Sequence, residues 1–412
     1  MTGITIYDLI DSPKNKKTIV MPAKPLCHKF IADALTEFNQ ARMKTLMLCV
    51  DGLISSNRLT LTDIARHLRG ASYSKNKIKR VDRFLKNSKL HQEKIDIYQS
   101  VAKKLAYEQP YVAVAVDWSG CCNNDYHLIR ASILMDGRAL PIYNLVVEEK
   151  DKDSPKTNAL FLEQLSNVLP TQATVYIVSD GGFLTPFYTK VRELGWHFIG
   201  RLRGGMKCQL SSSVDWKTLS QLREGATSTP KYLGEARLTK HTKTACQAHL
   251  HLFHGEQKGR VGKSRFTKDN KMYRTLAKEP WLIACSDNQL TSRQVIDLYA
   301  KRMQIEQNFR DDKSQQFGFS WRFSRTKGVE RISVLCLIAC LGAVILWLIG
   351  FEAERRNWHI QFQANTVKNR RVLSFLTLAK NVLYQFPQRL SKRFIKRSWE
   401  SYYLACEKYA VV

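Results

Sequence analysis

The chain has 412 residues, 44% of them hydrophobic and 25% charged, which is the composition of a folded protein and too long for one compact core. Against 36 Asp and Glu stand 65 Lys and Arg, a net charge of +29 that repels itself unless a polyanion screens it, so the main partner is nucleic acid or an anionic membrane surface and not a neutral or basic one. Ten cysteines at irregular spacings, with no CxxC pair, exclude a disulfide framework and point to a reducing, cytoplasmic setting.

The N-terminal stretch 1–17 carries no signal-peptide pattern. Residues 1–105 read as helices. The segment 59–68 opens on Thr and Asp capping signals and carries Ile64, Ala65 and Leu68 at helical spacing. A Gly/Ser turn at 69–74 separates it from a basic amphipathic helix at 75–86. Two short helices with a turn between them, the second basic, match a DNA-reading helix-turn-helix or a helical hairpin with a solvated cationic face.

From Tyr111 the pattern changes. Residues 111–118 form a buried strand containing Asp117, and two further strands at 127–135 and 138–147 are joined across Asp136 and Gly137, a hairpin signal. A helix at 158–167, a strand at 174–180 ending in Asp180, a helix near 185–194 and a short strand at 196–202 follow. Meandering strands and then strand-helix units predict a mixed α/β sheet with helices on its faces. Residues 203–280 are polar, basic and rich in Gly, Ser and Thr, which reads as a mostly β insertion with a flexible basic loop at 255–271. Trp281 opens an apolar strand, a long helix covers 292–316, and a basic helical tail ends the chain. The expected parts are a helical DNA-binding domain (1–105), a catalytic domain (106–202 and 281–350), the β-rich insertion (203–280) and a helical C-terminal region (351–412).

Residues 332–351 form an uncharged apolar run of membrane-spanning length. It stands alone, with basic residues Arg325, Lys327 and Arg331 before it and Arg355 and Arg356 after it. A buried central helix is apolar all round in the same way, and that is the expectation here.

The chemistry concentrates on carboxylates. Asp117 and Asp180 each stand at the carboxyl end of a hydrophobic strand, where ligands of α/β sheets bind, although Asp also ends strands as a turn residue. In the helix at 292–316, Tyr299, Arg302, Glu306 and Lys313 fall at i, i+3, i+7 and i+14, on one face. Leu298, Met303, Ile305 and Phe309 pack that helix, so its polar stripe faces something specific. Asp117, Asp180 and Glu306 together would hold two Mg²⁺ or Mn²⁺ ions, hard cations that take oxygen ligands and serve in-line phosphoryl displacement. His249 and His251 share a strand face after Cys246, but their spacing fits no standard zinc site.

These residues carry a resemblance. DWSG around Asp117, SDGGF around Asp180 and the Tyr-Arg-Glu-Lys spacing from Tyr299 to Lys313 resemble the cut-and-paste DDE transposases of bacterial insertion sequences, in the branch of the tetracycline-resistance composite transposon. The resemblance runs from about residue 40 to residue 375. It implies a ribonuclease-H-like catalytic domain, metal ligation by Asp117, Asp180 and Glu306, and DNA contacts by Tyr299, Arg302 and Lys313. It also implies that Trp281 stacks on a base flipped out beside a hairpin intermediate. The implied partners are double-stranded DNA (terminal inverted repeats and target) and a second copy of the chain. The implied location is the cytoplasm, at the nucleoid, with no membrane. A nuclease or resolvase without strand transfer, and an inactive DNA-binding relic, remain as alternative readings.

Overall fold

The computed structural model describes residues 38–409 except 107, 122–124, 136, 241–244, 256–278, 317, 365 and 368–369. The N-terminal stretch 1–17, Asp136 of the expected hairpin turn and nearly all of the basic loop at 255–271 lie outside the described residues.

Among the described residues, four helices precede the sheet. α1 (Gln40–Ser56) starts at Asn39, whose side chain accepts from the backbone N–H groups of Ala41 and Arg42. α2 (Leu61–Arg66) is capped by Thr60, which accepts from Asp63 N, and α4 (Ser88–Leu105) by Asn87, which accepts from Leu90 N. Between them α3 (Ser74–Leu85) buries Val81, Phe84 and Leu85 and leaves Lys75, Lys79 and Arg80 exposed. Cap residues thus mark the starts of α1, α2 and α4, whereas α3 has no side-chain cap and rests on its apolar spacing.

β1 (Tyr111–Gly120), β2 (Tyr126–Ile133) and β3 (Leu140–Glu148) form an antiparallel meander. α5 (Pro155–Val168) follows, then β4 (Thr174–Ser179), α6 (Thr185–Glu193) and β5 (His197–Arg201). β4 lies parallel to both β1 and β5. The chain continues through β6 (Lys207–Leu210), β7 (Trp216–Thr218), the short α7 (Leu219–Leu222), β8 (Lys231–Leu238), β9 (Cys246–Phe253) and β10 (Trp281–Cys285). All ten described strands join one mixed sheet in the order β3-β2-β1-β4-β5-β10-β9-β8-β6-β7. β10 pairs antiparallel with β5 on one side and β9 on the other, so the strands of residues 207–253 extend the same sheet.

The helix expected at 292–316 is two helices, α8 (Ser292–Lys301) and α9 (Met303–Lys313). Arg302 lies between them, and its N–H bonds Tyr299 O while its own carbonyl accepts from Ile305 N. Those bonds span three residues instead of four, the tightened pattern of a 3₁₀ turn. α10 (Val329–Arg355) contains the apolar run and is the one helix among the described residues long and apolar enough to cross a membrane. Its apolar window is 94% buried inside the protein, against β3, α1 and the C-terminal helices α11 (Phe375–Gln385) and α12 (Lys392–Tyr409). Gly350 lets α11 come close, because a Cβ there would lie 2.1 Å from the Phe375 carbonyl oxygen. The described cysteines are buried.

Candidate active site

Strand register brings the two aspartates together. β1 and β4 run parallel with Val116 opposite Ser179, so Asp117 and Asp180 follow at the same level on neighbouring strands. Both line one cleft of about 750 Å³. Asp180 sits where β4 gives way to a turn, and its Oδ1 accepts from Gly182 N at 2.8 Å. Asp117 Oδ1 accepts from Trp118 N at 2.8 Å. The glycines after Asp180 have a use of their own. A Cβ on Gly181 would meet the Arg203 side chain at 2.5 Å, so a bare backbone here lets Arg203 lie against the turn.

Glu306 reaches the aspartates from α9 through Arg302. The Arg302 guanidinium donates from Nη2 to Glu306 Oε1 at 2.8 Å and from Nη1 to Asp117 Oδ2 at 3.4 Å. Arg302 is buried, whereas the Glu306 side chain is about half exposed. Burial opposes the Arg302 charge, yet Tyr299, Asp117, Glu306 and Asp180 together raise its pKa above the ordinary arginine value. The pKa of Asp117 is pushed up to about 7, first by burial and then by Asp180, with Glu306 adding; Arg302 and the Trp118 N–H oppose the shift. Arg302 and the Trp118 N–H thus do not cancel the combined effect of burial and the neighbouring carboxylates on Asp117.

The remaining residues singled out in the sequence surround this centre. Tyr299 is buried on α8, with Trp281 edge-on to its ring at a centroid distance of 5.0 Å. Trp281 is partly exposed at the start of β10 and also leans on Phe253. Lys313, at the far end of α9, donates to Ser119 Oγ at 2.6 Å, two residues beyond Asp117 on β1. It thus lies along the strand from Asp117 and makes no direct contact with Glu306 among the described interactions. Burial lowers its pKa, as do the nearby Arg322 and Arg130.

Sequence reasoning missed two groups. His127, Glu149, Lys152 and Asp153 line the same cleft as the aspartates, and His127 Nε2 meets the Glu149 carboxylate. Nothing local marks them, because β2 and the turn after β3 reach the cleft only through the sheet. The second group is Arg201, Arg203 and Arg223. Arg201 is buried at the end of β5, and its pKa is lowered by burial and by the neighbouring guanidiniums of Arg203 and Arg223. Arg201 and Arg203 both act on the Tyr299 phenol, as Asp180 does, so this cationic wall adjoins the acidic centre. The spacing of the two arginines at the end of a strand next to β4 was a readable signal.

As a donor set, three carboxylates suit a hard dication in kind. In position they are not yet gathered: among the described residues no three His, Cys, Asp or Glu side chains come close enough to ligate one ion in common.

No match emerges among curated proteins. A family model described as Transposase DDE domain matches residues 103–341, from the end of α4 through the strands carrying Asp117 and Asp180 and past Glu306 into α10. With more than half of its length inside that model, the chain belongs to the DDE-domain transposases, a family that acts on DNA and generally uses divalent metal ions.

Proposed function

We propose that the protein is the transposase of an insertion sequence, related to the branch of the tetracycline-resistance composite transposon. It binds the element's terminal inverted repeats as a homodimer, excises the element through a hairpin intermediate and joins it to target DNA. The observation that carries this reading is the meeting of Asp117 and Asp180 at adjoining parallel strand ends in one cleft, with Glu306 linked to Asp117 by Arg302. The order β3-β2-β1-β4-β5, with β1 antiparallel to β2 and parallel to β4, is compatible with a ribonuclease-H-like catalytic domain and supports that assignment.

In this reading Asp117, Asp180 and Glu306 hold two Mg²⁺ or Mn²⁺ ions. When bound, such ions activate the attacking oxygen and stabilise the leaving oxygen of an in-line displacement at phosphorus. The chain's own side chains do the rest. Arg201, Arg203 and Arg223, with Arg302 and Lys313, offer guanidinium and ammonium donors to backbone phosphates. Trp281 and Tyr299 form an aromatic corner for one unstacked base. Stacking there contributes about 1–3 kcal/mol toward the cost of extruding it. Residues 1–105, with the exposed lysines of α3, are the proposed end-recognition domain, and 351–412 a helical C-terminal region. The protein works in the cytoplasm, at the nucleoid.

The test is incubation of the protein and Mg²⁺ with a plasmid carrying the gene and its flanking DNA. Excised element and strand-transfer products are expected. Cleavage without joining would make the protein a nuclease or resolvase, and binding without cleavage would make it a relic.

A further inference from the structure

Arg302 occupies an unusual place for a residue expected to grip DNA. Its guanidinium is turned inward and bridges Asp117 and Glu306, two of the three carboxylates of the centre. Only 9% of its side chain is exposed, against 46% for Glu306. It is also the residue at which the helix is interrupted, with three-residue hydrogen bonds on either side separating α8 from α9. Such a turn within a helical run is a common position for a joint.

We infer that Arg302 is a place-holding cation: in the metal-free protein it fills the space between Asp117 and Glu306, and it must leave before those carboxylates can gather on a dication. The inference rests on the reading of the three carboxylates as the metal site. Asp117 and Glu306 both bring negative charge to the same guanidinium, and Arg302 neutralises part of that charge while the site is idle. Arg302 and a dication compete for the same oxygens, and like charges do not share so small a space. A DNA phosphate is the natural alternative partner for Arg302, because Arg203 together with Arg201 and Arg223, which share the single carboxylate of Glu279, leaves the adjoining wall net positive. DNA that draws Arg302 outward would free Asp117 and Glu306 for metal, and by linkage metal would strengthen DNA binding by the same factor. Metal loading would then follow DNA binding, so that an idle transposase stays unarmed.

Mn²⁺ binding to the full chain without DNA, read from the electron paramagnetic resonance of the free ion, tests this. R302Q is expected to bind Mn²⁺ on the order of tenfold tighter than wild type, a typical size for coupling between sites. Adding E306Q is expected to abolish the gain. R302K, whose single ammonium cannot bridge both carboxylates, should fall between; it carries the comparison if melting curves show R302Q to be unfolded. An arginine that merely supported the site would weaken Mn²⁺ binding on removal, so equal or weaker binding by the Arg302 variants at a site lost in E306Q overturns the inference and leaves the metal site standing. Absence of any Glu306-dependent Mn²⁺ binding overturns both. Fluorescence anisotropy with a labelled duplex of the flanking DNA gives the reciprocal measurement. Mn²⁺ should tighten binding by wild type and do so much less for R302Q, and equal tightening in both would also overturn the inference.

Discussion

Arg130 on β2 and Asp312 near the end of α9 form an ion pair, Nη2 to Oδ2 at 2.6 Å, in which the guanidinium is fully buried. Asn144 Oδ1 accepts from Arg130 Nε at 2.7 Å, and the guanidinium lies 5.0 Å from the centre of the Phe309 ring. Arg130 is also the strand partner of Asp117. The pair therefore fastens the helix that carries Glu306 to the strand beside the one that carries Asp117. Asp312→Ala leaves Arg130 charged in the interior without its ion-pair partner, and a loss of about 3–5 kcal/mol in urea unfolding is expected. The double substitution Arg130→Met with Asp312→Leu should recover much of that loss, since an apolar pair avoids the desolvation cost.

Glu306 contributes little to folding, because its side chain is half exposed and, among the described residues, its tie is the ion pair to Arg302. Glu306→Gln should change stability by less than about 1 kcal/mol, the range of exposed pairs. It should leave duplex binding intact and abolish cleavage. Gel-shift and cleavage assays on the same preparation check this, and retained cleavage would remove Glu306 from the site.

Asp117 gives the metal-free protein a distinct pH dependence. Its pKa rises from an ordinary 3.8 to about 7 on folding, through burial first and then repulsion from Asp180. The folded chain thus holds this proton more tightly than the unfolded chain does. Stability falls as pH climbs between those two values, the reverse of an ordinary salt-bridged carboxylate. In EDTA the melting temperature should be lower at about pH 8 than at about pH 6, and Asp117→Asn should flatten that slope. Because metal ligation needs the ionised carboxylate, Mg²⁺ should stabilise the protein more at the higher pH.

Trp281 is held edge-on by Tyr299 and flanked by Phe253, yet remains partly exposed. If it receives an unstacked base, Trp281→Ala should weaken capture of the transposon end by about 1–3 kcal/mol, and Trp281→Phe should retain part of it. The fluorescence of 2-aminopurine placed in the DNA end reports the stacking directly. An unchanged signal in the alanine variant would return Trp281 to an ordinary packing role.

Much of this protein was written locally. Strand positions followed from apolar runs, and β10 begins and ends where the apolar stretch 281–285 does. The Tyr-Arg-Glu-Lys spacing marked one helix face, and the caps at Thr60 and Thr291 mark helix starts, because a cap depends on neighbours a few residues away. Tertiary structure decided what depends on distant partners. Hydropathy alone cannot tell a membrane span from a core helix, and only packing against β3, α1 and α11 gives residues 332–351 their protein surroundings. The strands of 207–253 read as a separate block until β9 pairs with β10 and draws them into the single sheet. The helix at 292–316 was continuous by periodicity, but the pull of Asp117, 185 residues away, accompanies a break at Arg302 that no local propensity announces. Periodicity encodes which face of an element is buried; which charges meet across that face is set by the pairing of strands and helices far apart in the chain.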